Sequence, residues 1–458
     1  MKIAVIGAGI VGVTTAYELA ADGHEVVVLE RHSSVAAEAS FAHAGTMVAG
    51  HVAPLAQPGM RKALLRALAG GKGPLRTGPS LDPAQWRWLW RLWKTCDAQA
   101  ARALFGELHR LGLYSSERLE ALSARHGLEF ERASGVLLLL RDGDDVAQAR
   151  FGLEMARGCG GNATELDAAG CHAVEPGLNR DQNIASGIYY AADGVGNCRQ
   201  FTHLLREAAE RNGAEFRFAT VVRSIEATDG SAAPGVMLNI EQMVLTTGFV
   251  ASRVAVPTGT QHLDLMKHRR RAAARYLAPV SNERFDAVVV AAGVDSPSLL
   301  HATGLRLPLL PVYGYSMTAP LRSPDRGPRS IVFDQRHHVS IGRLGQRVRV
   351  TGGAELGGSP EHRRASAIER LYAVLSDWFP GGAHTARPQL WKGARPMLPD
   401  GPPLVGPSPQ AGVWLNLGHG SNGWALACGS ARLLADQIAG RTPAIDPLAL
   451  APSRYARR

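Results

Sequence analysis

Lys2-Ile-Ala-Val-Ile6-Gly7-Ala8-Gly9-Ile10-Val11-Gly12 opens the chain; a helical pattern runs on to Ala21, Gly23 offers a stop, and Glu25 to Leu29 is a second apolar run ending at Glu30. A β-branched run, a glycine turn, a helix and another β-branched run predict one βαβ unit. Each glycine has its own task there. Gly7 permits the tight turn, Gly9 lets the backbone approach a pyrophosphate, and Gly12 lets helix and strand pack closely. Phosphates would rest on the helix N-terminus, where unpaired N–H groups and the helix dipole favour negative charge. Glu30 is placed to accept hydrogen bonds from adenosine ribose hydroxyls, and a carboxylate there disfavours a 2′-phosphate. The stretch therefore predicts a dinucleotide site for FAD or NAD, not NADP.

Three features farther along favour FAD. Glu38 to Gly59 is rich in small residues and irregular, with Ala39-Ser40-Phe41-Ala42-His43-Ala44-Gly45 at its head, which suits backbone lining of a large flat ligand. Asp286-Ala-Val-Val-Val-Ala-Ala292-Gly293 reads as a buried parallel strand able to return to the first sheet beside the opening glycine turn. Asn416-Leu-Gly418-His419-Gly420-Ser-Asn422-Gly423-Trp424 precedes an amphipathic helix to Ile438, giving a second glycine turn that can stabilise charge on a reduced flavin.

Composition sets wider bounds. A chain of 458 residues with 45% hydrophobic and 20% charged residues predicts a globular protein of two interlocked or consecutive domains. The formal charge of +10 is spread along the chain and does not choose a partner. Five scattered cysteines form no CxxC, which argues against a metal site or disulfide framework and fits a reducing compartment. The Met1 to Ile6 segment runs straight into the glycine motif and reads as a strand, not a leader. No apolar run reaches about 18 residues, so no bilayer span is expected. The expected location is the cytoplasm, or the cytoplasmic face of the inner membrane as a peripheral protein, with no nucleic-acid partner. Gln85-Trp-Arg-Trp-Leu-Trp-Arg-Leu-Trp-Lys94 bears on that choice. At helical spacing Trp86, Leu89, Trp90 and Trp93 share a face, while Arg87, Arg91 and Lys94 share another. Such a helix packs on a domain, or lies in a membrane interface, where aromatic and basic residues are favoured.

Ile6 through Gly12, Ser40 through Gly45, Gly196-Asn-Cys198 with Gln200-Phe-Thr202, and Gly314-Tyr315-Ser316 recur in one order with Arg395-Pro-Met-Leu-Pro-Asp-Gly401, Val405-Gly406, Gly418-His-Gly420, Gly423-Trp424 and Ala427-Cys-Gly429. Together they resemble the D-amino-acid oxidase superfamily of FAD enzymes, and within it the small-subunit type of bacterial D-amino-acid dehydrogenase. The resemblance covers nearly the whole chain. It implies an α/β architecture, with a Rossmann-like FAD domain (1–46, 191–305 and 393–440) interleaved with an α+β substrate domain (47–190 and 306–392) built on an antiparallel sheet, and a tail at 441–458. The sequence agrees, with strand-like runs at Val136–Leu140, Leu309–Ala319, Ile331–Asp334 and Arg347–Gly353 and helical stretches at Pro83–Trp93, Ala101–Arg125 and Arg363–Phe379. The implied reaction is oxidative deamination of a D-amino acid to a 2-oxo acid and ammonia, with electrons passed to a quinone or another carrier.

That chemistry asks little acid–base work of the protein, because the cofactor carries the hydride step. A carboxylate clamp calls for arginine, whose planar fork grips both oxygens. Arg395 matches the superfamily's carboxylate-binding arginine, and Tyr315 resembles a substrate-site tyrosine, with a core aromatic as its plain alternative. Ile6 to Gly12, Glu30, Arg31, Ser40, His43, Ala44, Gly45, Val222, Ala292, Gly293, Gly418, His419, Gly420, Asn422 and Gly423 are the expected FAD contacts. His419 is expected to matter through its backbone and not as a general base. Two residues depart from the family pattern. His43 stands where the nearest relatives carry Asn, and dimethylglycine-dehydrogenase-like relatives bond a histidine in such a setting covalently to FAD; a noncovalent histidine is expected here. Tyr313 replaces a common Lys, and Gly230 to Asn282, with the basic cluster Lys267 to Arg271, is longer than usual. Other readings are a secondary-amine oxidoreductase for sarcosine-, dimethylglycine- or hydroxyproline-like substrates, a flavin-bound subunit of a heteromeric complex and, more weakly, a NAD dehydrogenase.

Overall fold

A computed structural model describes residues 1–47, 55–57, 59–71, 73, 75–78, 82–227, 235–243 and 277–455. The opening unit forms as its periodicity dictates: strand β1 (Lys2–Ile6), helix α1 (Ile10–Ala21) and strand β2 (Glu25–Leu29). β1 and β2 pair in parallel, Ile3 opposite Val26 and Ile6 opposite Leu29. α1 ends at Asp22, and Gly23 follows in the left-handed region at φ +83°, the backbone state that favours glycine at a helix stop. Tyr17, Leu19 and Val13 of α1 are fully or almost fully buried in the apolar cluster that also takes Ile3, Val5, Val26 and Val28.

Two distant segments return to this sheet. Ala287–Val290 lies beside β1 in parallel, and Val413–Leu417 lies beside Ala287–Val290, also in parallel. Leu404–Pro407 and Glu215–Arg217 complete a six-stranded sheet at its two edges. Three of these strands, β1, β2 and Ala287–Val290, are near-continuous runs of Val, Ile, Leu and Ala, as a sheet buried on both faces requires. The helix Gly423–Ile438, which follows the second glycine turn, packs on α1 and is buried along most of its length. Thr220–Ala227, Val236–Met243 and Leu277–Phe285 make a small antiparallel sheet. Most of the segment between Gly230 and Asn282, including Lys267 to Arg271, lies outside the described residues.

A ten-stranded sheet forms the other half of the molecule. Its centre is antiparallel: Gln389–Met397 against Leu310–Pro320, that strand against Arg347–Leu356, and Arg347–Leu356 against Val339–Leu344. Two parallel pairings join this antiparallel core: Ile331–Asp334 pairs with Ala133–Leu140, and Leu75–Thr77 with Arg347–Leu356. Helix Ala365–Trp378 covers one face through Leu371, Val374, Leu375 and Trp378. The tryptophan-rich helix Pro83–Thr95 buries Gln85, Trp88, Leu89 and Leu92, and the indole of Trp88 donates to Met397 O at 3.1 Å. Trp86 and Trp90 face outward, so the inward arc is shifted from the Trp86, Leu89, Trp90, Trp93 face that spacing suggested. With tryptophans spread over more than one arc of the helix, docking against Met397 and not periodicity selects the buried side.

Candidate active site

A cleft of about 400 Å³ opens where β1 meets α1 and runs to the second glycine turn. It lies beyond the carboxyl ends of the parallel strands, the place where open α/β sheets bind ligands. Ile6, Gly7, Gly9, Ile10 and Val11 line one end, and Gly418, His419, Gly420 and Gly423 line the other. The two turns are separated by about the whole chain in sequence and face each other across one space.

The glycines divide their labour visibly. Gly7 sits at φ +101°, and a Cβ there would come within 2.7 Å of the Ala291 carbonyl. A Cβ on Gly12 would fall on the Gly7 carbonyl, so Gly12 serves the packing of α1 on β1 and does not line the cleft. Gly9 is different: a Cβ there would meet only Ser40 Oγ, at 3.5 Å, and would otherwise project into the cleft. Ser40 Oγ in turn accepts the Ile10 N–H at 3.1 Å. Glu30 is buried at the cleft wall, accepting the Ala8 N–H at 2.7 Å and the His32 N–H at 2.8 Å on separate oxygens. Each carboxylate oxygen retains a lone pair for a further donor. Arg31 spans the rim, paired with Asp295 at 2.8 Å and Glu38 at 3.2 Å.

At the far end His43 and His419 are both neutral. Burial first, then the charges of Arg395 and Arg349, draws the pKa of His43 down to about 4 against the hydrogen bond to Ser421. Burial draws His419 down to about 3. Ser430 Oγ donates to Ala427 O at 3.1 Å, so His419 Nε2 is the donor to Ser430 Oγ at 3.0 Å. That imidazole braces the turn on its helix and leaves the backbone of residues 418–420 to face the cleft.

Arg395 lies on strand Gln389–Met397 between Ala394 and Pro396, which line the cleft; Arg395 itself lies outside that lining, at its edge. Opposite it on the next strand is Val312, two residues from Gly314, and a Cβ on Gly314 would collide with the Arg395 guanidinium. Glycine at 314 is what lets that side chain lie flat over the sheet. At Gly353, φ +78°, strand Arg347–Leu356 slips register against Tyr313 and Tyr315, and the Gly353 carbonyl accepts Arg395 Nη1–H at 2.8 Å. No carboxylate among the described residues pairs with Arg395. Burial alone lowers its pKa to about 10, so it remains a cation at neutral pH. Ser316 Oγ and Trp391 Nε1, on cross-strand partners of the same face, are buried with no hydrogen-bond partner. Trp391 stacks on Phe41 at 4.4 Å between centroids.

Tyr315 is not with them. Successive strand residues face opposite sides, and Tyr315 sits with Lys392 on the sheet's other face. Its hydroxyl donates to Glu355 and accepts the Arg364 N–H at 3.3 Å, and Glu355 also binds Arg364 Nε at 2.8 Å and Lys392 Nζ at 3.0 Å. Burial, reinforced by that bond to Glu355, pushes the Tyr315 pKa up to about 12. The expected contact with a substrate carboxylate is corrected: Tyr315 belongs to a buried ionic network behind the strand that carries Arg395.

Residues 2–437 match the model of the DAO family, described as FAD dependent oxidoreductase. The chain belongs to this family. As an FAD dependent oxidoreductase it is 40% identical over 459 residues to a D-amino acid dehydrogenase of Cereibacter sphaeroides, covering 100% of this chain and 96% of that protein. Among solved structures, glycine oxidase from Geobacillus kaustophilus superposes with a TM-score of 0.69 at 21% identity, covering 99% of each chain. L-proline dehydrogenase from P. horikoshii gives 0.66 at 17% identity, over 99% of this chain and 97% of that one. These two likenesses concern the fold.

The residues present fit FAD. Asn416 Oδ1 and Trp424 Nε1 belong to cleft-lining residues and are buried with no hydrogen-bond partner, which is costly unless a ligand answers them. Gly9 and the start of α1 would hold the pyrophosphate, Glu30 the ribose, and the 418–420 backbone the ring end. FAD bound there supplies a two-electron acceptor for hydride. Arg31, Ser40, His43, Val222, Ala292 and Gly293 line the cleft. Ala8, Ala44, Gly45 and Asn422 lie outside its lining: Ala8 is tied to Glu30, and Gly45 donates to His43. Sequence reasoning quoted Asn416 and Trp424 within a motif without assigning them a role, and it passed over Thr220, Asp295 and Arg349, which carry no local signature.

Proposed function

We propose that this enzyme oxidises D-amino acids at the α C–N bond, giving 2-oxo acid and ammonia, with the electrons passed from FAD to a quinone or another carrier. The observation that carries this reading is Arg395, a buried cation with no carboxylate partner among the described residues, laid over Gly314 beside the cleft. An uncompensated buried guanidinium is expensive, and a substrate carboxylate is the group that answers it with two charge-assisted bonds. Arg395 would hold the carboxylate so that the Cα–H faces the acceptor, while the amino lone pair forms the imine that water then hydrolyses. Neutral His43 and His419 add no charge that would repel a cationic amine. The Cereibacter relative's name, D-amino acid dehydrogenase, supports the D-configuration.

The handover to a carrier is supported by an exposed face. Helices Met60–Leu68 and Pro83–Thr95 carry Arg61, Lys62, Arg66, Arg87, Arg91 and Lys94 and no acidic residue. The same helices present Trp86 and Trp90, 51% and 59% exposed, and Leu65 and Leu68. Arg61 Nε–H donates to Trp93 O at 3.1 Å and joins the helices into one surface. Aromatic and basic side chains so mixed fit the headgroup layer of an anionic membrane. No described helix is long and apolar enough to cross one.

The test is anaerobic mixing of purified holoprotein with D-, L- and N-methyl amino acids. Flavin bleaching by D-amino acids, with L-isomers and sarcosine slow, is expected. Bleaching only by N-methyl or cyclic amines assigns the secondary-amine reaction instead. No bleaching until a second protein is added assigns the subunit role.

A further inference from the structure

We infer that His43 is a hydrogen-bonded clasp that closes the flavin cradle, joining the Ser40–Gly45 loop to the C-terminal glycine turn, and that FAD is held without a covalent bond to it. The inference rests on the FAD cleft and is independent of which amine is oxidised. Three bonds converge on this residue. Its Nε2 lies 3.1 Å from Ser421 O, an acceptor only, so Nε2 carries the proton. Its Nδ1 accepts the Gly45 N–H at 3.1 Å and is therefore unprotonated. Its carbonyl accepts Nη1–H of Arg349 at 3.0 Å, and Arg349 Nε–H is fixed to Thr318 Oγ1 at 3.0 Å. His43 thus ties one cleft-lining loop to the opposite turn, 378 residues away, and both to the substrate-side sheet.

The geometry fixes one tautomer and leaves neither ring nitrogen free. Attachment of a flavin carbon to either nitrogen would break one arm of the clasp. Burial and two facing cations, Arg395 from Gln389–Met397 and Arg349 from Arg347–Leu356, together keep the ring neutral. A protonated ring would carry a second N–H pointed at the Gly45 amide, donor against donor.

Three variants separate the arms. In His43→Gln the amide nitrogen reaches toward Ser421 O; in His43→Asn the amide oxygen keeps only the Gly45 contact; His43→Phe keeps the ring shape and neither bond. Holoprotein of each is diluted, and FAD release is followed by its fluorescence. Acid precipitation of wild type then shows whether flavin stays with the polypeptide. All flavin in the supernatant is expected. Release from H43F is expected to be about 10- to 30-fold faster than wild type, as for two neutral hydrogen bonds, with H43Q and H43N between. Should H43F fail to fold, the ranking of H43Q and H43N against wild type carries the test. A yellow precipitate overturns the inference, and so do variants that release FAD at the wild-type rate. Bleaching tests on amino acids can fail while these hold, which separates this inference from the proposed reaction.

Discussion

Replacing Arg395 by alanine should remove the proposed carboxylate clamp and little else. In the native protein Nη1 is already engaged with Gly353 O at 2.8 Å, leaving four N–H donors for a ligand. A bidentate carboxylate uses two of them. Hydrogen bonds to charged groups contribute about 1.5–3 kcal/mol each, and some of this is recovered when water enters the space, so the loss is about 2–4 kcal/mol. In kcat/KM that is a fall of roughly 30- to 1,000-fold. The fold should tolerate the change: the Gly353 carbonyl loses one partner, worth about 1 kcal/mol, while the cost of burying a cation disappears. The assay is single-turnover flavin reduction by D-alanine and, in parallel, by an amine of similar size lacking the carboxylate. The amino acid should lose the full factor and the plain amine almost nothing, while FAD content and melting temperature stay near wild type. Equal losses for both substrates, or an unchanged Kd for D-alanine, would refute the clamp.

The two glycines of the opening turn should separate cofactor binding from folding. Gly9→Val should give a folded, colourless protein, since a side chain there meets only Ser40 Oγ before entering the cleft; Gly12→Ala should cost roughly 3 kcal/mol or more, because its Cβ falls on the Gly7 carbonyl, and be seen in thermal melts. FAD retention should depend on pH through His43. Its pKa is about 4 in the closed cradle against an ordinary 6.5, so the stabilisation is complete above about 6.5 and is lost as pH falls toward 4. Titration of flavin release in wild type and H43Q checks this, and H43Q should show a flatter profile. Tyr315→Phe removes a buried bond to Glu355 and should lower stability by about 1–2 kcal/mol, with KM for the amino acid within about twofold of wild type; a large KM change would restore Tyr315 to the substrate side.

What the sequence disclosed follows from how local each signal is. The β1–α1–β2 unit was legible because Gly7, Gly9 and Gly12 act within a few residues of one another and the flanking runs have one period each. The turn at 418–423 was legible for the same reason. Arg395 is an ordinary arginine in composition and spacing, and resemblance alone picked it out. The sequence left Tyr315 between a substrate-site and a core role because its neighbours come from strand pairing: Glu355 and Lys392 reach its side chain from the two flanking strands, far away in sequence. The outward face of Pro83–Thr95 failed similarly, since Trp at four positions leaves several arcs equally apolar. Parallel pairing of Ile331–Asp334 with Ala133–Leu140 joins segments far apart in sequence, and neither run encodes its partner. Asn416 and Trp424 acquire meaning only when tertiary structure buries their unanswered polar atoms.

A crystal structure of the FAD-loaded protein with a 2-oxo acid bound tests the arrangement most directly. The dinucleotide should extend from Glu30 past Gly9 to the 418–420 backbone, with the oxo acid's carboxylate gripped by the free edge of the Arg395 guanidinium. A flavin ring lodged elsewhere, or a carboxylate bound away from Arg395, would contradict the account.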